Sequence, residues 1–162
     1  MTGEQRPYRG LLTAAGVLGF AGVALGAWSA HGLGDVLVAI YGEATKEVAG
    51  ETLLARHKAA GDFETGVRYQ LVHAVALLAL AGLPASRLRT VAGSLMTVGA
   101  VIFSGSLYLL VLLAQPRLGA VTPIGGVLLL AGWACVLAMA VRTTGDPGDA
   151  SSAASSRGEP AA

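Results

Sequence analysis

The sequence predicts an all-α integral membrane protein, a bundle of four transmembrane helices with both termini cytoplasmic. Composition points there first. Of 162 residues, 54% are apolar and only 13% are charged, against roughly 25% charged in an ordinary soluble domain. The charge-free runs point there second. Residues 10–30, 69–86, 90–116 and 118–141 contain no Asp, Glu, Lys or Arg, and about 20 helical residues cross a ~30 Å hydrocarbon core. Small residues at helical spacing within those runs are the third observation. Eleven basic against ten acidic residues leave a net charge of +1, which excludes a basic nucleic-acid binder and an acidic disordered chain. The single cysteine, Cys135, excludes an internal disulfide and a Cys-cluster zinc site.

Residues 1–9 are expected to be a cytoplasmic N-terminus, and the first span covers about 10–30. A cleaved secretory signal competes for it. The run exceeds the usual ~7–15 apolar residues, and Trp28 sits badly before a small-residue cleavage site, so a retained span is expected. An exterior loop at 31–62 holds five of the ten acids. Within it, residues 43–60 are mostly helix formers, and Val48, Leu53 and Leu54 would form a narrow apolar stripe on the bilayer surface. A solvated helical excursion is the alternative. The second span, about 63–84, has the shortest charge-free run, extended by amphipathic turns around Phe63 and Arg68. A tight cytoplasmic turn at Arg87 and Arg89 leads into the third span, about 90–114. In the fourth, about 118–141, Thr122 and Pro123 supply a capping hydroxyl and a proline for the first helical position. Residues 142–162 are rich in Gly, Pro, Ser and Ala and predict a disordered cytoplasmic tail. Arg6, Arg9, Arg87, Arg89, Arg142 and Arg157 then share the cytoplasmic side, as short basic flanks favour.

Lipid tails are as apolar as leucine, so helices in a bilayer associate by close fit, which needs small side chains. The first span offers Ala15, Gly19, Gly22, Gly26 and Ser29 on one face, and the third offers Gly93, Thr97, Ala100 and Ser104. Gly125 and Gly132 lie on one side of the fourth. These faces predict a compact bundle, with a homodimer contact through one of them as a further option.

Polar residues gather toward the exterior end. His31 ends the first span. Glu64, Arg68, Tyr69, Gln70 and His73 open the second, Ser104, Ser106 and Tyr108 lie in the outer half of the third, and Thr122 starts the fourth. Glu64 and Arg68 are four apart, acid first, the favourable order for a helical ion pair. His73 falls about 140° from Arg68 around the helix, so the second span is polar on two sides and should face protein or water on both. Ionisable groups inside a membrane mark candidate functional sites. The structural alternative is an internal Glu64–Arg68 pair, with His73 satisfied by a hydroxyl or a carbonyl. His31 and His73 differ in depth by several ångströms or more, awkward for axial ligands on one haem iron, and zinc would need a third and fourth ligand with Glu64 the only nearby addition, so no cofactor and no metal are expected. No nucleophile elbow, P-loop, dinucleotide fingerprint or HExxH motif is present.

Four segments, LGAWSAHGL (25–33), FETGVRYQLVHAVALLALAGL (63–83), FSGSLYLL (103–110) and LGAVTPIGGVLLLAGW (118–133), together resemble the small membrane proteins of the domain of unknown function 423 family. That family includes bacterial proteins and the mitochondrial transmembrane protein 256. The resemblance covers about residues 10–141 and implies a multi-pass protein of the bacterial inner membrane. It implies no activity. Its characteristic positions fall on Gly26, His31, Gly32, Phe63, Glu64, Arg68, Tyr69, Gln70, His73, Ser104, Gly105, Ser106, Tyr108, Thr122, Pro123, Gly125 and Gly126. Residues 35–60 look like an insertion relative to the family, and the tail looks additional.

The expected function is non-enzymatic: a partner- or lipid-binding membrane protein or accessory subunit, working with the bilayer and with another membrane protein or a second copy. A transport or conduction element is the alternative, with His31, Glu64, Arg68 and His73 lining a polar vestibule.

Overall fold

The computed structural model of the chain describes residues 6–143. The expected cytoplasmic N-terminus lies largely outside those residues, and the expected disordered tail lies almost wholly outside them. Helix α1 runs Arg6–His31, α2 Leu33–Tyr41, α3 Ala55–Ala81, α4 Arg87–Leu112 and α5 Thr122–Thr143. Strands β1 (Thr45–Val48) and β2 (Glu51–Leu54) form an antiparallel hairpin between α2 and α3. A single 3-10 turn at Pro116–Ala120 joins α4 to α5.

The four long helices pack chiefly on their sequence neighbours, α1 on α3, α3 on α4, and α4 on α5. His31, Ala55, Leu112 and Thr122 mark one end, capped by α2 and the hairpin. Arg9, Ala81 and Arg87 mark the other, referred to below as the arginine end. Three helical stretches, 9–31, 87–112 and 116–141, are long and apolar enough to cross a membrane. Helix α3 is not among them, because its first half carries Arg56, Lys58, Asp62, Glu64 and Arg68.

The segment 43–60, expected to be helical, instead forms the hairpin and the first turn and a half of α3. Ala49 and Gly50 both take positive φ (52° and 85°). Two central residues of that hand match the natural twist of paired strands, so the chain reverses in two residues rather than coiling on. The first three residues of each strand are exposed, with only Val48 and Leu54 partly covered. Helix α2 docks by Leu33 and Leu37, buried against Phe63, Val67 and Val111. Tyr41 fastens its end, donating from Oη to the Val111 carbonyl at 2.9 Å. Burial, and secondarily the carboxylate of Asp62, raises the Tyr41 pKa above the ordinary 10.0.

At the arginine end, the expected turn at residues 87–89 is already helix. The connection is Gly82 to Ser86, and the Ser86 hydroxyl caps α4 by accepting from the Arg89 amide at 3.1 Å. Arg89 is buried and donates to the Leu83 carbonyl, where a cation meets the negative end of α3.

The apolar core is divided in two. Toward the arginine end, Leu11, Ala15, Leu18, Leu77, Leu80, Met96 and Leu129 cluster together. Toward the cap, Leu33, Leu37, Phe63, Val67 and Val111 form a second cluster. Between them lie the buried polar residues Gln70, His73, Ser104 and Ser106.

Candidate functional site

Helix α3 turns Gln70 toward both of its neighbours. Its Nε2 donates to the Leu18 carbonyl of α1 at 2.8 Å, and its Oε1 accepts from Tyr108 Oη of α4 at 2.9 Å. One amide therefore ties three helices. The small face of α1 permits it: a Cβ on Gly22 would lie 2.7 Å from Leu71, and one on Gly26 would lie 3.2 Å from Val67. Gly66 does the same on α3, since a Cβ there would come within 2.8 Å of the Tyr108 ring. Its carbonyl accepts from Ser104 Oγ at 2.8 Å.

A second set of bonds reaches α5. Ser106 Oγ donates to the Phe103 carbonyl at 2.9 Å and lies 2.8 Å from Thr122 Oγ1. Having one proton, already spent, Ser106 is the acceptor and Thr122 the donor. Trp133 Nε1 donates to His73 Nε2 at 3.1 Å. An indole N–H can only donate, so Nε2 carries a lone pair. The His73 proton is then on Nδ1, which donates to the Tyr69 carbonyl at 2.7 Å. His73 is thus the neutral Nδ1–H tautomer, with both ring nitrogens engaged. Aromatic rings fill the space around these bonds: Tyr69 stacks on Phe103 with centroids 4.4 Å apart, and Phe63 lies between Trp28 (5.6 Å) and Tyr108 (4.7 Å).

Of the polar residues singled out in the sequence, Gln70, His73, Ser104, Ser106, Tyr108 and Thr122 thus belong to one belt of interhelical bonds. Tyr69 stands at its edge, giving its carbonyl and its ring. The other three lie elsewhere. His31 is exposed at the end of α1, and Glu64 and Arg68 are exposed on the side of α3 opposite Phe63, Gly66, Gln70 and His73. The reading of Glu64 and Arg68 as an internal ion pair is therefore corrected. Among the described residues the ion pairs are Arg56–Glu43, at 2.6 Å, and Lys58–Asp62. The cause is rotational: a helix that buries 63, 66, 70, 73 and 77 turns 64 and 68 outward.

The packing glycines hold varied places. Gly125 makes the tightest backbone approach, since a Cβ there would fall 2.5 Å from the Phe103 nitrogen. Gly132 faces Met96 and Gly93 faces Leu11, while Gly19 is only in ordinary contact range of Ala74. Gly99, which no sequence pattern marked, meets the Leu129 backbone nitrogen. Trp133 was missed as a site residue, yet a signal existed. Helices α3 and α5 run the same way, and Trp133 lies eleven residues below Thr122 much as His73 lies ten below Phe63. An indole at that depth needs an acceptor.

A model described as "Protein of unknown function (DUF423)" matches residues 25–126, from the cap end of α1 into the first turns of α5. The chain belongs to the DUF423 family. It is 38% identical over 138 residues to the UPF0382 inner membrane protein YgdD of Escherichia coli (strain K12), covering 83% of this chain and 91% of that one. To a UPF0382 membrane protein of Haemophilus influenzae it is 37% identical over 75% of this chain and 86% of the relative. The UPF0382 membrane protein YwdK of Bacillus subtilis is 37% identical over 74% and 86%. No solved structure gives a significant match. The DUF423 match spans the belt apart from Trp133 and the Leu18 carbonyl. With relatives named as membrane or inner membrane proteins and several apolar helices of spanning length, the chain is a multi-pass protein of the bacterial inner membrane.

Proposed function

We infer that the protein is a non-enzymatic, four-span inner-membrane protein that works by holding a partner, protein or lipid, on its outward surfaces. One observation carries this reading. The polar side chains of the belt spend their hydrogen-bonding capacity on one another and on the backbone, so the belt acts as an internal fastening. The charges of Glu64 and Arg68 face outward instead. A vestibule of His31, Glu64, Arg68 and His73 finds no support in residues that point in different directions.

Parallel neighbours support the four-span count. Leu11, near the start of α1, packs at Gly93, near the start of α4, so α1 and α4 run the same way. On this reading the chain crosses back between them through α3. Its charged first turns then sit at the cap end, and Arg9, Arg87 and Arg89 favour a cytoplasmic arginine end. A reporter fused after Arg142 is expected to be active only as a cytoplasmic reporter, and periplasmic activity there would contradict this topology. Purification from native membranes in mild detergent is expected to retain a stoichiometric protein or lipid. A bare monomer with bulk lipid would contradict partner binding, and solute flux above that of empty proteoliposomes would favour transport.

A further inference from the structure

Helix α3 has an outward stripe that the bundle leaves uncovered. Glu64, Arg68, Val72, Val75 and Ala79 are all exposed and follow one another at spacings of four, four, three and four. At 100° per residue they lie within about 40° of the Arg68 direction. Val72 and Val75 are 52% and 66% exposed. No ion pair among the described residues involves Glu64 or Arg68. These charges are not at the helix tip. Val67 packs beside Gly26, five residues before the end of α1, so Arg68 sits about 8 Å inside that end. An acid and a base at that depth, above bare valines, call for an occupant that satisfies both.

Resting on the partner-binding reading above, we propose that the occupant is a second copy of this chain, packed α3 against α3 about a two-fold axis along the membrane normal. Charge complementarity selects it. Lipid phosphate would suit Arg68 and repel Glu64, whereas a second copy offers a base for every acid. Two copies inserted the same way bring their α3 helices together in parallel at equal depth. Arg68 lies about 6 Å deeper than Glu64 along the helix. Helical side chains lean toward the helix N-terminus, so a long guanidinium at 68 extends toward the level of Glu64 on the other copy. The two-fold then makes the same pair twice. Below the charges, Val72 and Val75 are stiff, small-bodied residues that lose little freedom in a close helix contact.

The test is cysteine cross-linking of the full-length protein in its native membranes, in a Cys135→Ser background. Oxidation is expected to give a covalent dimer from Val72→Cys or Val75→Cys but not from Val127→Cys, an equally exposed position on α5. Glu64→Arg or Arg68→Glu alone sets like charges against each other and should cut the dimer about tenfold. Co-expressed with different tags, those two variants should restore a mixed dimer, because one copy is then all basic and the other all acidic at these positions. Lipid binding cannot produce that rescue. Equal cross-linking at Val127→Cys, indifference to charge reversal, or failure of the mixed pair would overturn the proposal. An adduct with a different protein at Val75→Cys would also overturn it, while leaving the partner-binding reading standing. Neither adduct, together with a bare monomer on purification, would remove both.

Discussion

The two halves of the bundle are held by different means. Toward the arginine end, Leu77, Met96, Leu129 and their neighbours meet as apolar surfaces. Toward the cap, the apolar cluster around Phe63 and Val111 is supplemented by directional bonds from Gln70, Ser104, Tyr108 and the Ser106–Thr122 pair. Apolar packing in lipid gains only from close fit, since the tails compete on equal terms. It tolerates small shifts as long as contact is kept. Directional bonds fix spacing and register as well, because an unmet donor or acceptor has no water to turn to. The cap half should therefore be rigid and the arginine half yielding.

Equivalent glycines in the two halves give the largest contrast. In Gly125→Ala the new methyl meets Phe103 backbone at 2.5 Å, and neither helix can retreat without opening the Ser106–Thr122 bond. A loss of about 3 kcal/mol is expected, at the top of the usual overpacking range, read as thermal stability in detergent. In Gly132→Ala the close contact is with the Met96 side chain at 2.7 Å, the Ala92 carbonyl and Met96 nitrogen standing at 3.4 Å, so a flexible thioether takes most of the strain and about 1 kcal/mol is expected there. Equal losses would erase the distinction. Met96→Ala should follow at about 2 kcal/mol, the low end for a cavity, since part of the yielding half can close around it. Trp133→Phe keeps a ring but strands His73 Nε2, and about 1 kcal/mol is expected. In the same variant the His73 ring, observed by nitrogen NMR, should keep its Nδ1–H tautomer, held by the Tyr69 carbonyl, while the Nε2 resonance shifts as its hydrogen bond is lost. Smallest of all is Ala49→Asn in the hairpin. Asparagine tolerates the left-handed backbone better than alanine, so a gain of a few tenths of a kcal/mol confined to the cap is expected. Hydrogen exchange at β1 and β2 would register it.

Much of this was legible in the sequence. Charge-free runs located the long helices, and the four- and three-residue spacing of Gly19, Gly22 and Gly26 gave the face of α1 that meets α3. The polar residues of the belt were picked out because lipid makes any such residue conspicuous. Their partners were harder to see, since a carbonyl such as Leu18 or Gly66 leaves no mark in a side-chain pattern. Spacing put Glu64 and Arg68 on one face but could not say which face the bundle buries. The hairpin escaped because its turn uses Ala49 in place of the usual asparagine, and its strands show no burial alternation. Arg89 read as loop because its partner, the Leu83 carbonyl, leaves no mark in a side-chain pattern.

The central claim is that the polar belt fastens the helices to one another. A double-mutant cycle on Gln70 and Tyr108 tests it most directly. Gln70→Leu should cost about 1–3 kcal/mol, since it takes the acceptor from the Tyr108 hydroxyl and the interhelical donor from the Leu18 carbonyl. Tyr108→Phe should cost about 0.6–1 kcal/mol, as single interhelical bonds in membranes do. The double variant should lose less than the sum of the two by at least about 0.5 kcal/mol, the signature of a shared bond. Strictly additive losses, or single variants as stable as the parent that no longer bind a partner or move a solute, would contradict the claim and make these residues a working site.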